Sequence, residues 1–479
     1  MTQDSKPNGT GTRFSYLILI TAVAALGGFL FGFDTGVVSG LNKPIKAYFH
    51  LDDAALEGFF VSCVTIGCIL GAALAGYASD MLGRKKVLLF SGILFFVSAV
   101  GCGFPPSFTG LIAFRFIGGI GVGVASMVAP LYISEISPPS IRGRLVTFFQ
   151  LAIVIGMFSA YASNAMIWNF SKLFSENSEI PVISRIFVNE NWRGMFLMGC
   201  LPSALYFLAV IFVPESPRWW AGKNRDDKAM HTLEKLFGQE EAQRGMQEIR
   251  TVLAEETGKF SEIFSRKYRF GLMIGVLLMF FSQVTGINVI MYFGVQVFEG
   301  GGYSTDFSYW MLTFIGLANV AFTLFAVWKV DQWGRKPLLK LGTLMIFVTL
   351  ALIGILFALK SRGIGEGVIL YLLPGLVAVF IASFAMSWGP IPWVVVSEIF
   401  PTRIRGRAAS LGTMTIWISC FLVVQTFPWL KAKAPELSFA IYAGLMTPAM
   451  IFVWRYLPET KGRSLEELEK YLYSHEQSE

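Results

Sequence analysis

Charged residues are scarce in this sequence, and their scarcity argues against a water-soluble protein. Asp, Glu, Lys and Arg make up 15% of the 479 residues, whereas hydrophobic residues make up 54%, and the mean hydropathy is +0.58. A soluble multidomain chain must cover itself with polar side chains and carries about a quarter charged residues. The composition therefore indicates a protein whose solvent is largely a lipid bilayer.

Residues that build disulfide, metal and catalytic sites are also few. All five cysteines fall within apolar runs, which excludes a visible disulfide framework or zinc-ligand spacing and favours a packing role. The three histidines, His50, His231 and His475, lie outside those runs, and no nucleophile motif or phosphate-binding loop is evident. We therefore predict no enzyme, no cofactor and no metal site.

Long apolar runs, by contrast, recur along most of the chain. A helix needs about 20 apolar residues to cross the hydrocarbon core of a bilayer. Roughly twelve runs meet this need, at approximately 16–38, 58–79, 87–103, 109–133, 145–167, 194–213, 270–298, 308–328, 338–359, 368–396, 408–429 and 438–457. They lack the alternation of barrel strands. The sequence predicts an all-α membrane protein with twelve transmembrane helices.

The basic residues are concentrated in four short loops that share one side if the helices alternate in direction. These residues are Arg84, Lys85, Lys86, Arg142, Arg144, Arg335, Lys336, Arg403, Arg405 and Arg407. Cytoplasmic loops carry an excess of Lys and Arg, which places these loops and both termini in the cytoplasm. The same placement explains the net charge of +7 better than an anionic partner does, so we predict no nucleic-acid partner.

The loop motifs occur twice, in the same order and roughly 250 residues apart. The segment 79–86 (SDMLGRKK) returns as 330–337 (VDQWGRKP), and 134–138 (SEISP) returns as 397–401 (SEIFP). The segment 214–218 (PESPR) is echoed by 458–462 (PETKG). We therefore predict one six-helix half over 1–213, a cytoplasmic linker with short amphipathic helices over 214–267, a second half over 268–457, and a cytoplasmic tail over 458–479.

Acidic and basic residues of these motifs lie together at the cytoplasmic mouth of each half. We expect them to form ion pairs between the halves when the cytoplasmic side is closed, and to separate when it opens. A role only in fixing topology is the alternative. The candidate gate residues are Arg84, Glu135, Arg142, Glu215, Arg335, Glu398, Arg405 and Glu459.

Taken together, the motifs resemble the sugar-porter branch of the major facilitator superfamily over nearly the whole chain. Its marks here are 28–36 (GFLFGFDTG), 83–86 (GRKK), 115–119 (RFIGG), 214–218 (PESPR), 283–288 (QVTGIN), 389–393 (GPIPW) and 458–462 (PETKG). The resemblance implies alternating access and import of a monosaccharide or similar polyol by proton symport. The implied partners are the sugar, the proton and the lipid bilayer, and no oligomer is required.

Two ionisable residues lie within apolar spans at matching depths. Asp34 is near the outer end of the first span and Arg115 near the outer end of the fourth, so an ion pair between them is feasible. Ionisable groups cost on the order of 3 kcal/mol or more in a span and are functional candidates by default. The resemblance implies that Asp34 accepts the transported proton and that Arg115 regulates it. A merely structural ion pair is the alternative.

Neutral amides within spans are the candidate ligands of a hydroxylated substrate. Gln150, Gln283, Asn288 and Asn319 can each donate and accept hydrogen bonds, although amides also hold membrane helices together. The resemblance to sugar porters favours a binding role for the first three. It also shows departures towards a less polar pocket, with Met157, Ser282, Ile416 and Gly199 at positions where the xylose-symporter type is polar or acidic.

Aromatic residues near the amides complete the predicted site. Trp393 and Trp417 offer flat faces to a sugar ring, and Tyr292 with Phe293 is expected to cap the pocket from outside. Gly389, Pro390 and Pro392 predict a discontinuous tenth span beside Trp393, because proline cannot donate a backbone hydrogen bond. This break is either a gate or a static kink.

The residues are also compatible with activities other than proton symport. A facilitative sugar uniporter would use the same fold. A sugar sensor would normally carry a long cytoplasmic tail, and an organic-anion carrier would need cations facing the pocket, where Arg115 is the only candidate.

Overall fold

The computed structural model describes residues 10–138, 141–173, 184–255, 260–400 and 402–461, almost all of them in helices. Twelve helical segments in the described ranges are long and apolar enough to cross a membrane. They are Phe14–Tyr48, Ala54–Leu82, Arg84–Gly103, Phe108–Ile136, Arg142–Leu173, Asn191–Phe212, Arg266–Gly301, Thr305–Val330, Arg335–Ser361, Gly367–Val396, Arg407–Lys433 and Pro435–Arg455. The prediction of twelve transmembrane helices is confirmed, and the helices extend beyond most of the apolar runs.

The two halves contact each other along three pairs of spans. The second span packs along the eleventh, the fifth along the eighth, and the first against the second helix of the seventh. Within the first half, the first and fifth spans approach closely at Gly32 and Gly156. A Cβ on Gly32 would lie 1.8 Å from the carbonyl oxygen of Ile153, and one on Gly156 would lie 2.1 Å from that of Phe29. Small residues allow such backbone contact between membrane helices.

Three spans are interrupted. The sixth consists of the helices Asn191–Leu197 and Cys200–Phe212. The tenth consists of the helices Glu366–Met386 and Ile391–Ile399, so the predicted break at Gly389 and Pro390 is confirmed. The seventh consists of Arg269–Val284 and Ile287–Gly301, separated by Thr285 and by Gly286 with φ of 80°. This break, like that of the sixth span, was not predicted. Glycine adopts that backbone conformation without the strain that a Cβ would cause.

The linker forms three helices, Pro217–Gly222, Asp226–Phe237 and Gln239–Glu255. The last two match the predicted amphipathic helices. They bury a small apolar cluster of their own, in which Ala229, Leu233 and Met246 pack together. The linker is therefore held by its own contacts as well as by the helices beside it.

We call the side where the first span begins and the twelfth ends the terminus face, and the opposite side the far face. Several hydrogen bonds join the two halves at the far face. Asn42 Nδ2 donates to the carbonyl oxygen of Tyr292 at 2.7 Å, and Ser62 Oγ donates to Gln425 Oε1 at 2.6 Å. Lys43 Nζ lies 2.9 Å from Glu299 Oε1. The structure is thus a form closed at the far face.

Candidate functional site

An ion pair between Asp34 and Arg115 joins the first and fourth spans. Arg115 Nη1 is 3.0 Å and 3.2 Å from the two carboxylate oxygens of Asp34, as the matching depths in the sequence predict. The Arg115 side chain is fully buried, and its carbon Cζ lies 5.9 Å from the centre of the Phe60 ring. The Asp34 side chain keeps 18% of its surface exposed. Water can therefore reach the acid while the cation stays enclosed.

The pair is asymmetric in its hydrogen bonds. Among the described residues, Nε and Nη2 of Arg115 have no hydrogen-bond partner. A buried polar group without a partner costs free energy, and a buried cation without its counter-ion costs more. Asp34 is therefore the counter-ion that stabilises the buried Arg115. A change in the charge of Asp34 alters the forces that hold the guanidinium in place.

The break in the seventh span brings two predicted amides into direct contact. Asn288 Nδ2 donates to Gln283 Oε1 at 2.8 Å, and Gln283 Nε2 donates to Ser282 Oγ at 3.0 Å. In a continuous helix, residues five apart do not face each other. The turn at Gly286 brings the two side chains to the same side. Their contact leaves Asn288 Oδ1 and the second N–H of Gln283 available for further hydrogen bonds.

The other predicted ligands occupy different surroundings. Gln150 is half-buried on the fifth span, and Asn319 is buried on the eighth. Tyr292 is buried, and its backbone carbonyl holds Asn42 of the first half. Phe293 packs against Phe427 with ring centres 4.9 Å apart. Tyr292 and Phe293 thus lie among the contacts that close the far face, and their role as a cap over the substrate stays a prediction.

The aromatic residues differ in exposure. Trp393, on the second helix of the tenth span, is 39% exposed, whereas Trp417 is buried. The Trp417 ring lies 5.3 Å from that of Phe31, which belongs to the other half. Phe31 precedes Asp34 by three residues and so shares a helix face with it. We did not predict a role for Phe31, although its spacing of three residues from Asp34 within the 28–36 motif indicates that the two share a helix face.

The acidic gate residues bind within their own halves. Glu135 accepts two hydrogen bonds from the Arg84 guanidinium, at 3.0 Å and 2.9 Å, and both side chains are buried. Glu398 accepts from Arg335 Nη2 at 2.8 Å and from Thr460 Oγ1 at 2.5 Å. These contacts are within one half, and the expected pairing between the halves stays a prediction.

Two further predicted gate residues are the arginines that follow these acids in the chain, Arg142 and Arg405. Arg142 is exposed, and its Nη2 lies 3.5 Å from the carbonyl oxygen of Ser137. The same side chain borders a cavity of about 460 Å³ between the first half and the linker. The side chain of Arg405 is outside the described residues.

Glu215 and Glu459 cap helices that begin more than 120 residues away. The N–H groups of Arg84 and Lys85 donate to the Glu215 carboxylate at 3.0–3.2 Å, and those of Arg335 and Lys336 donate to Glu459 at 3.0 Å. Each carboxylate therefore meets the positive end of a helix dipole. Burial raises the pKa of Glu215, and its hydrogen bonds oppose that shift. The repeated motifs thus tie the end of each half to its third helix.

Removing either cap should destabilise its half. Glu215→Ala is expected to lower the free energy of unfolding by about 1–2 kcal/mol, because two helix N–H groups lose their acceptor. Glu459→Ala should have an effect of similar size, since it breaks the equivalent contact. Thermal unfolding in detergent, with Glu240→Ala on the exposed face of the linker as control, measures this. A control-sized effect at both positions would contradict the capping role.

Comparison with known proteins gives consistent matches across the chain. The family model described as sugar (and other) transporter matches residues 20–472. The D-xylose-proton symporter of Escherichia coli is 38% identical, with 95% of each chain covered. The arabinose-proton symporter of Bacillus subtilis is 34% identical, with 97% of each covered. A partially occluded inward-open structure of the E. coli xylose transporter XylE has a TM-score of 0.80 at 33% identity, covering 94% of this chain and 100% of that one.

Proposed function

Because the chain belongs to the sugar transporter family, we propose that it imports a monosaccharide or similar polyol together with a proton, by alternating access. It is an integral multi-pass membrane protein. The observation that carries the proton coupling is the ion pair of Asp34 with the fully buried Arg115. Two relatives that are similar over nearly the whole chain are named as sugar-proton symporters.

Asp34 is the proposed proton acceptor. When a proton binds its carboxylate, the attraction to Arg115 falls and the buried guanidinium must find another arrangement. The fourth span carries Arg115 and the first carries Asp34, so protonation changes the contact between these two helices. Proton binding is in this way linked to the equilibrium between the two access states.

The substrate is proposed to bind beside the amides of the seventh span. Gln283 and Asn288 present a donor and an acceptor held in place by their mutual hydrogen bond, which suits the hydroxyl groups of a sugar. Trp393 offers an exposed ring face, and Gln150 and Asn319 supply further amides. An aldopentose is the favoured class, since both symporters named above carry one.

The orientation follows from the basic loops. Arg84, Arg335 and their neighbours lie at the terminus face, and the positive-inside bias places that face in the cytoplasm. In the proposed orientation both termini are cytoplasmic, and the face that is closed in this structure is the external one. Uptake of labelled xylose and arabinose into proteoliposomes, with unlabelled sugars as competitors, tests the proposed substrate class. Transport that no sugar or polyol inhibits would overturn it.

The acidic gate residues are proposed to change partners when the terminus face closes. In that form Glu135 and Glu398 would meet arginines of the opposite half instead of Arg84 and Arg335 of their own half. Glu398→Gln should then shift the population towards the inward-facing form, because the form closed at the terminus face loses an ion pair that stabilises it. Single cysteines placed in the two vestibules report this shift through their labelling rates. Gln332→Ala, an exposed change at the same face, is the control, and equal labelling of Glu398→Gln and parent would count against a gating role.

A facilitative uniporter remains the second candidate on this fold. It would move sugar down its gradient without regard to the proton gradient. Accumulation of sugar driven by an imposed pH gradient separates the two, because a uniporter cannot concentrate its substrate.

A further inference from the structure

A buried carboxylate outside the transport site joins the two halves at the far face. Glu57 is in the first turn of the second span, and its side chain is only 5% exposed. Its Oε2 accepts from Lys46 Nζ of the first span at 2.9 Å, and its Oε1 accepts from Gln296 Nε2 of the seventh span at 2.9 Å. Gln296 Oε1 in turn accepts from Lys431 Nζ of the eleventh span.

We propose that Glu57 is a second, external proton-binding site, and that its ionised form holds the far face closed. We call Lys46, Glu57, Gln296 and Lys431 the far-face clasp. Two of its members come from each half, so the clasp exists only while the far face is shut. This inference goes beyond the proposed transport activity, because Glu57 does not contact the Asp34 pair or the amides.

Protonation breaks the clasp for a specific chemical reason. A protonated Glu57 keeps one oxygen that can accept from Gln296, but its O–H faces Lys46, which has no acceptor, and the negative charge that attracts Lys46 and Lys431 is gone. Turning the Gln296 amide around would offer its oxygen to Glu57. That rotation would also direct the amide N–H groups at the Lys431 ammonium, which only donates. Lys431 therefore fixes the amide as a donor to Glu57, so neither Gln296 nor Lys46 can accept the O–H of the protonated acid.

The other charged groups around the clasp do not replace it. Lys43 is on the first span and Glu299 on the seventh, and these two pair with each other at 2.9 Å. The Lys43 side chain is 60% exposed, so solvent weakens that pair. Ser62 and Gln425 form a neutral contact nearby, which a proton does not alter. Glu57, at 5% exposed, is thus more enclosed than Glu299, at 20%.

Opening of the far face and protonation of Glu57 should favour each other. When the halves separate, Glu57 loses Gln296 and the nearby Lys431 and keeps Lys46. External acid then favours the outward-open form, which is the form that receives both sugar and proton from outside.

Spin-label distances across the far face test this inference without sugar or a proton gradient. Labels at Leu56 and Ala432, both exposed, report the separation of the halves in nanodiscs as the pH is lowered. The parent should gain a longer-distance population on acidification. Glu57→Gln should raise the open-to-closed ratio about tenfold at alkaline pH, because the charge-assisted contact is lost. In an Asp34→Asn background, where the transport proton cannot bind, it should also remove the response to acid.

Three further variants define the interpretation. Glu299→Gln removes a carboxylate from the same interface and should keep the response to pH. Asp34→Asn should also keep it, which separates this site from the transport proton and keeps the inference independent of symport. Gln296→Leu retains Glu57 and should open the far face at alkaline pH, so the proposal stays testable if Glu57→Gln does not assemble. A response to acid in Asp34→Asn that persists when Glu57→Gln is added, or a parent distance that ignores pH, would overturn the proposal.

Discussion

Asp34→Asn is expected to exchange sugar across a membrane but to lose all accumulation against a gradient. Asparagine has nearly the shape of the protonated acid, so the binding site and the two access states should survive. It cannot release a proton, and without that release the two gradients are no longer linked. In proteoliposomes acidified outside, the parent should concentrate the sugar, whereas Asp34→Asn should only equilibrate it. Counterflow of labelled sugar should persist in both.

Two comparisons make that result interpretable. Asp227→Asn removes an exposed carboxylate from the linker and should accumulate sugar like the parent. Arg115→Leu removes the partner of Asp34 and should impair both accumulation and exchange, because Asp34 loses its counter-ion in a buried site. A parent that never accumulates sugar, or an Asp34→Asn protein that accumulates as well as the parent, would leave the uniporter as the better description.

The architecture could be predicted from the sequence because it depends on local properties. The hydrophobic length of each run decides whether it can span a membrane, and the prolines at 390 and 392 cannot continue a regular helix. The break in the seventh span was missed because a single glycine within an apolar run has no such obligatory effect. The contact between Gln283 and Asn288 follows from that break, so it could not be deduced from residues placed on a regular helix.

Other features depend on which access state the protein occupies. The motifs predict that Glu135 and Glu398 lie at the mouths of the halves, but a sequence shared by two states does not say which partner each acid has in either one. Glu57 was missed for a related reason. A carboxylate in the first turn of a span resembles an ordinary interfacial residue, and its burial arises only when Gln296 and Lys431 are brought against it.

The amide pair of the seventh span gives the second large expected effect. Gln283→Ala and Asn288→Ala should each weaken sugar binding by about 1–3 kcal/mol, roughly tenfold to over a hundredfold in Kd, because a buried hydroxyl loses its partner. Isothermal calorimetry in detergent measures this directly. Gln332→Ala, which removes an exposed amide at the terminus face, should bind sugar like the parent.

The double variant distinguishes a shared site from two independent contacts. Asn288 is held by the oxygen of Gln283 at 2.8 Å, so Gln283→Ala both removes one ligand and frees the other. The loss in Gln283→Ala/Asn288→Ala should therefore be clearly smaller than the sum of the single losses, as expected for residues in one hydrogen-bond network. Strictly additive losses would show that the two amides act separately, and unchanged affinity in both single variants would remove them from the binding site. Because these variants leave Asp34 and Arg115 intact, whatever sugar they still carry should remain coupled to the proton.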